Sequence, residues 1–156
     1  MTDSAHKNAA IANYELEVAI NASADAAWSA LINNIGDWWL PDFHLVDPNS
    51  TVTFEPRPGG HLTETLPNGE GLLWFTVQWI NSEQHKMYVI GHISPDWGGP
   101  ATYSLKMWIE STDNGCVFRA SDSHVGNVDD KNLGDLKSGW TMLFSDGLKK
   151  WVEAQG

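Results

Sequence analysis

The chain is short of cysteine, of positive charge and of long apolar runs, and each shortage removes a class of protein. Its one cysteine, Cys116, has no internal partner for a disulfide, which agrees with a reducing compartment. No basic cluster stands near it to generate a thiolate, so Cys116 is expected to be a small buried residue. Nine lysines and arginines face 20 aspartates and glutamates, a formal charge of -11. Phosphate backbones are held mainly by Lys and Arg, so nucleic acid is not an expected partner, and anionic membrane surfaces are disfavoured for the same reason. No apolar run reaches the roughly eighteen residues a membrane helix needs, and the polar start MTDSAHKNAA does not read as a signal peptide. The cytoplasm is the expected location.

Tryptophan, by contrast, is abundant, with nine in 156 residues. Each is large and carries an N–H that needs a partner when buried. So many point either to an aromatic-lined cavity or to a partly aromatic surface, and plain core packing is the equal alternative. A chain of this length can bury a core without disulfides or metals. Residues 1 to 12 show no apolar period and read as a mobile leader, leaving 13 to 156 as one domain.

Along that domain, Tyr14, Leu16, Val18 and Ile20 alternate with polar or small residues and predict a first strand. Ser23 is placed to cap a short helix whose inner face is Trp28, Leu31, Ile32 and Ile35, with Gly36 expected to stop it and a second short turn from Asp37 to Leu40. After Asp47-Pro48-Asn49 the chain reads as strands: Thr51 to Glu55, His61 to Leu66, Leu72 to Ile80, Met87 to Ile93, one through Tyr103 to Ile109, and Cys116 to Gly126. Turns at Pro56-Arg57-Pro58-Gly59-Gly60, Pro67-Asn68-Gly69-Glu70 and Asp113-Asn114-Gly115 are short enough for an antiparallel meander. Asp129 to Glu153 then reads as one long helix with Leu133, Leu136, Trp140, Leu143, Phe144, Leu148 and Trp151 along one stripe. A sheet with one apolar face and one long helix with an apolar stripe have an economical arrangement, the sheet curving around the helix.

The element order, Ala22-Ser23-Ala24-Asp25-Ala26-Ala27-Trp28 entering the first helix, the Trp38-Trp39-x-Pro41 pair, Pro56-Arg57-Pro58-Gly59-Gly60 and Gly139-Trp140 together resemble the START and birch-pollen-allergen-like (SRPBCC) superfamily. The resemblance is to the branch related to the C-terminal domain of the Hsp ninety ATPase activator and covers roughly Tyr14 to Glu153. It implies an α+β helix-grip fold: a seven-stranded curved antiparallel sheet wrapped around a long C-terminal helix, with two short helices after strand one and a cavity between sheet and helix. Members of that superfamily bind lipids, hormones, polyketides and other apolar or aromatic molecules, and some are cyclases or hydrolases.

Candidate chemistry comes from two strands. Period two puts Cys116, Phe118, Ala120, Asp122 and His124 on one face of the last strand and Arg119 with two serines on the other, so Asp122 and His124 are expected to point inward as an acid/base pair. His124-Val125-Gly126 looks like the superfamily's His-x-Gly strand end, whereas Asp122 stands where an apolar residue is expected. Glu64 lies between Leu62 and Leu66 on one face. It is a third catalytic candidate, or equally a structural carboxylate that ties down a loop. Trp74, Trp79, Tyr103, Met107 and Phe118, with the Trp140 and Phe144 face of the last helix, are the expected ligand-binding residues.

His44, His61, His85 and His92 lack metal-ligand spacing, and no glycine-rich phosphate loop opens a helix after a strand, so neither a metal nor a cofactor is expected. A dry pocket of about 300 Å³ would cost roughly 7 kcal/mol, comparable to a whole domain's stability of about 5 to 15 kcal/mol. Inward polar groups that admit water would relieve that cost. Three functions remain: binding of a small apolar or aromatic molecule, a cyclase- or hydrolase-type enzyme using Asp122 and His124, and a chaperone-linked interaction module. A homodimer through surface tryptophans is also left open.

Overall fold

The alternation and turn chemistry of the middle of the chain give a single antiparallel sheet in the computed structural model, which describes residues 5–156. Its strands are β1 (Ala10–Ile20), β2 (Thr51–Phe54), β3 (His61–Thr65), β4 (Gly71–Asn81), β5 (Lys86–Ile93), β6 (Ala101–Thr112) and β7 (Gly115–Gly126). Their order across the sheet is β1-β7-β6-β5-β4-β3-β2. Strands β2 to β7 form the expected meander, and β1 closes onto the far side of β7, with Tyr14 opposite Asp122 and Val18 opposite Phe118. β1 starts at Ala10, earlier than its alternation predicts, because Ala10 to Ala12 pair with Gly126 to His124. Part of the expected leader is therefore strand. Residues 5–9 form no regular element, and residues 1–4 lie outside the described ones.

Two short helices follow β1. Helix α1 (Ala24–Asn33) is capped by Ser23, whose hydroxyl accepts from the Ala26 N–H, and it buries Ala27, Trp28, Ala30 and Leu31. Gly36 does not stop it, contrary to expectation. The helix ends two residues earlier, and Gly36 sits inside α2 (Ile35–Trp38). There a side chain is excluded, because a Cβ on Gly36 would lie 2.8 Å from the carbonyl oxygen of Val52 on β2. A 3-10 turn at Pro41–Phe43 leads to the loop before β2.

The C-terminal helix is continuous but not uniform. An α-helical stretch, α3 (Asp130–Met142), passes into a π-helical segment, Leu143–Lys149, and then into α4 (Lys150–Gln155). A π-helix bonds i→i+5, so each turn holds more than the 3.6 residues of an α-helix. Positions four apart then stay in line: Trp140, Phe144, Leu148 and Val152 are all buried. Trp151, expected on the stripe, is only half-buried, since the wider turn rotates Val152 into its place. Gly147 lies within the π segment, where a Cβ would come 2.7 Å from the Trp38 carbonyl oxygen. The concave face of the sheet and this helix enclose one core, continued by α1 and α2.

The tryptophans divide by environment. Trp39, Trp74, Trp140 and Phe144 make successive contacts with ring centroids 5.1, 6.1 and 5.8 Å apart, and Phe144 meets Phe118 at 4.2 Å. Trp79 and Trp108 lie on the other face of the sheet, Trp79 stacked on Tyr88 at 4.8 Å and Trp108 beneath the Lys106 ammonium. Trp97 is exposed on a 3-10 turn at Pro95–Trp97. Cys116 is buried and unpaired, and burial, then the nearby Glu153 charge, pushes its thiol up.

Candidate functional site

A cavity of about 400 Å³ opens between the sheet and α3, within the size range of small-molecule sites. It lies at the sheet end where β4 and β6 begin and β5 and β7 finish. Its walls are mainly Leu72, Trp74, Ile93, Tyr103, Leu136 and Trp140, with Gly139 giving room on the helix side. At the mouth stand Leu45, Leu73 and Trp97, all exposed. Neither Lys nor Arg lines it, whereas Asp42 and Asp135 do.

The polar feature of its floor is built by strand register. Period two turns Asp122 and His124 inward, and both are buried. Antiparallel pairing sets Tyr14 opposite Asp122 and Tyr103 opposite His124. The Tyr14 hydroxyl donates to Asp122 Oδ2 at 2.6 Å, and His124 Nε2 lies 2.7 Å from the same oxygen. The imidazole sits between two phenol rings, stacked on Tyr103 at 5.6 Å and tilted to Tyr14 at 6.0 Å. His124 lines the cavity, whereas Asp122 and Tyr14 lie behind it. Burial, then the Asp122 charge, pushes the Tyr14 phenol far up, and the same two causes raise Tyr103. Both phenols therefore stay neutral donors, and Tyr103 uses its hydroxyl on the Trp74 carbonyl at 2.5 Å. Asp122 Oδ1 is buried with no partner among the described residues.

Glu64 occupies a different position. Fully buried on β3, it accepts from the Leu45 N–H (3.1 Å), the Val46 N–H (2.7 Å), the Ser50 hydroxyl (2.7 Å) and the Trp74 indole N–H (3.2 Å). Burial is the largest single influence and pushes its carboxyl up, but these four donors together hold it below the usual range. Both oxygens are committed to holding the loop and the Trp74 wall, and Glu64 does not line the cavity.

Of the remaining expected residues, Trp74, Tyr103 and Trp140 line the cavity, and four do not. Trp79 is on the opposite face. A β-bulge between Val77 and Trp79 shifts the register there, so that Trp79 pairs with Tyr88 away from the core. Met107, Phe118 and Phe144 do face inward but lie farther along their strands and helix, in the solid core. At about 3.3 Å per residue, Met107 is roughly 13 Å along β6 from Tyr103. Alternation states which face a residue takes but not how far the cavity reaches. Tyr14 and the walls Leu72, Ile93 and Leu136 were not among the expected site residues. Tyr14 was legible as an inward β1 residue, but its contact with Asp122 depends on β1 pairing with β7. Among the described residues, no three His, Cys, Asp or Glu side chains converge as metal ligands.

No family model matches the chain, and no curated protein matches it. Solved structures do. Ara h 8.0201 superposes with a TM-score of 0.68 at 15% identity, covering 93% of this chain and 99% of that one. A putative uncharacterized protein from Rhizobium leguminosarum gives 0.71 at 14% identity, with 94% and 97% covered. Norcoclaurine synthase from Thalictrum flavum, solved in complex with dopamine and hydroxybenzaldehyde, gives 0.59 at 19% identity, with 96% and 89% covered. At these identities the likeness is one of architecture, and the chain has the birch-pollen-allergen-like helix-grip fold.

Proposed function

We propose that this protein binds a small apolar or aromatic molecule in the cavity between the sheet and α3. The observation that carries the reading is the cavity itself: about 400 Å³, walled by Leu72, Trp74, Ile93, Tyr103, Leu136 and Trp140, with His124 on its floor. Burying a ligand's apolar surface there is favourable by about 25 cal/mol per Å². The helix-grip neighbour solved with two aromatic molecules supports the same class of occupant. The single cysteine agrees with a reducing, cytoplasmic setting.

The test is titration with a panel of uncharged aromatic compounds, followed by tryptophan emission and melting temperature. Trp74 and Trp140 line the cavity, so a bound ligand should change emission saturably and raise the melting temperature. Gly139→Leu, which fills the cavity from the helix side, should weaken binding at least tenfold. A panel that moves neither signal would sink the reading.

A second reading is favoured by the Tyr14–Asp122–His124 arrangement. An imidazole braced by a buried carboxylate and open to a cavity suits proton transfer to or from a bound substrate. In that reading His124 exchanges the proton, Asp122 orients it, and Glu64 is a positioning residue that fixes the Trp74 wall. Asp122→Asn should then abolish turnover while sparing ligand affinity, and unchanged turnover would remove these roles.

A further inference from the structure

We infer that the cavity selects, among aromatic molecules of one shape, those that present a neutral hydrogen-bond donor to Nδ1 of His124, and that it rejects carboxylates. The inference rests on the binding reading above and names the chemistry of the ligand's polar end.

Asp122 Oδ2 accepts from the Tyr14 hydroxyl at 2.6 Å and faces His124 Nε2 at 2.7 Å. The Tyr14 phenol keeps its proton and, toward a carboxylate that can only accept, it is the donor. With Asp122 a carboxylate, the hydrogen between Nε2 and Oδ2 belongs to the imidazole, an assignment from the network. A neutral imidazole protonated at Nε2 carries a lone pair at Nδ1. Nδ1 makes no hydrogen bond within the protein among the described residues, although the His124 side chain is almost completely buried and lines the cavity. Nδ1 is not among the fully buried unpartnered atoms, so it is reached from the cavity and its partner must come from what fills the cavity. A ligand hydroxyl or amine N–H would meet it.

The charge pattern points the same way. An anionic group docked on His124 would lie one imidazole away from the Asp122 carboxylate, and neither Lys nor Arg lines the cavity to offset that repulsion. The other titratable groups on its walls are Asp42, Asp135, His92 and the neutral phenol of Tyr103. Two of these add negative charge, and the His92 ring nitrogen is engaged with the Thr102 hydroxyl at 3.2 Å. A carboxylate therefore finds no cationic partner, and beside His124 the Tyr103 hydroxyl is already committed to the Trp74 carbonyl.

The experiment uses one aromatic frame with three ends at neutral pH: 2-naphthol, 2-methoxynaphthalene and 2-naphthoate, titrated by calorimetry. The expected order is 2-naphthol tightest, 2-methoxynaphthalene about tenfold weaker for want of a donor, and 2-naphthoate weakest. His124→Phe, which keeps an aromatic ring at the position, should remove the difference between 2-naphthol and 2-methoxynaphthalene. Nitrogen-15 spectra of the unliganded wild type should show His124 protonated at Nε2. Equal affinity for 2-naphthol and 2-methoxynaphthalene would overturn the donor selection while leaving the cavity a binding site. Tight binding of 2-naphthoate, or an Nδ1-protonated tautomer, would also overturn it. Binding of none of the three would overturn the binding reading together with the selection. Should His124→Phe fail to fold, the wild-type affinities and tautomer decide alone.

Discussion

At the residue scale the two buried carboxylates behave oppositely, although both stand among apolar neighbours on inward strand faces. Glu64 has all its lone-pair demand met by four donors, whereas Asp122 keeps one oxygen unpartnered. Because the Glu64 carboxyl titrates lower when folded, its contribution to stability is complete above the ordinary carboxylate range and is lost as pH falls through the lowered value. Glu64→Gln should therefore destabilise the protein by roughly 2 to 4 kcal/mol at neutral pH and by less in acid. Denaturant melts at pH 7 and pH 3 would show the difference shrink. Tyr14→Phe removes a donor from the already under-satisfied Asp122 and should cost about 1.5 to 3 kcal/mol by the same measurement. A loss below about 0.5 kcal/mol would mean that the phenol does not stabilise the carboxylate. That Glu64 was special could be read from an acid between leucines, but which of two roles it takes could not. The choice depends on the Leu45 to Ser50 loop folding over β3, and no local pattern encodes that.

At the element scale the C-terminal helix separates two kinds of glycine. Gly147 is packed against the Trp38 carbonyl with no room for a methyl group, so Gly147→Ala should cost about 1 to 3 kcal/mol through displacement of α2. Gly134 lies on the exposed side of α3 with nothing near its absent Cβ. Gly134→Ala should stabilise by about 0.5 to 1 kcal/mol, as helix propensity alone dictates. Thermal melts of the two variants should shift in opposite directions, and a shift in the same direction would contradict the packing described. The existence and order of strands and helices were legible in the sequence, because alternation, caps and turn residues act over a few positions. What was not legible lies outside the reach of an apolar period. The extension of β1 to Ala10 depends on pairing with β7, distant in sequence, and the bulge that turns Trp79 outward and the π segment that turns Val152 inward are breaks in regular hydrogen bonding.

At the scale of the whole molecule, the cavity occupies one end of the enclosed space, walled by Trp74 and Trp140, and Met107, Phe118 and Phe144 fill the core beyond it, which is why inward direction alone did not find the ligand wall. The pairing of β1 with β7 also shapes how the chain must fold. Val18 meets Phe118, one hundred positions later, while β6 and β7 join through a turn of two residues, Asp113 and Asn114. The hairpin can form within microseconds, but docking β1 must first close a loop of most of the chain. Contact with β1 is therefore expected to be absent at the folding barrier. Leu16→Ala should accelerate unfolding and leave the refolding rate nearly unchanged, whereas Met107→Ala in the hairpin should slow refolding. Stopped-flow rates against denaturant would separate the two, and equal slowing by both would reverse the order. On a ribosome the same topology leaves the first strand made to wait for nearly the last. Until β7 has paired with its edge and the C-terminal helix has crossed its face, the apolar residues Tyr14, Leu16, Val18 and Ile20 have little to cover them but a chaperone or another chain.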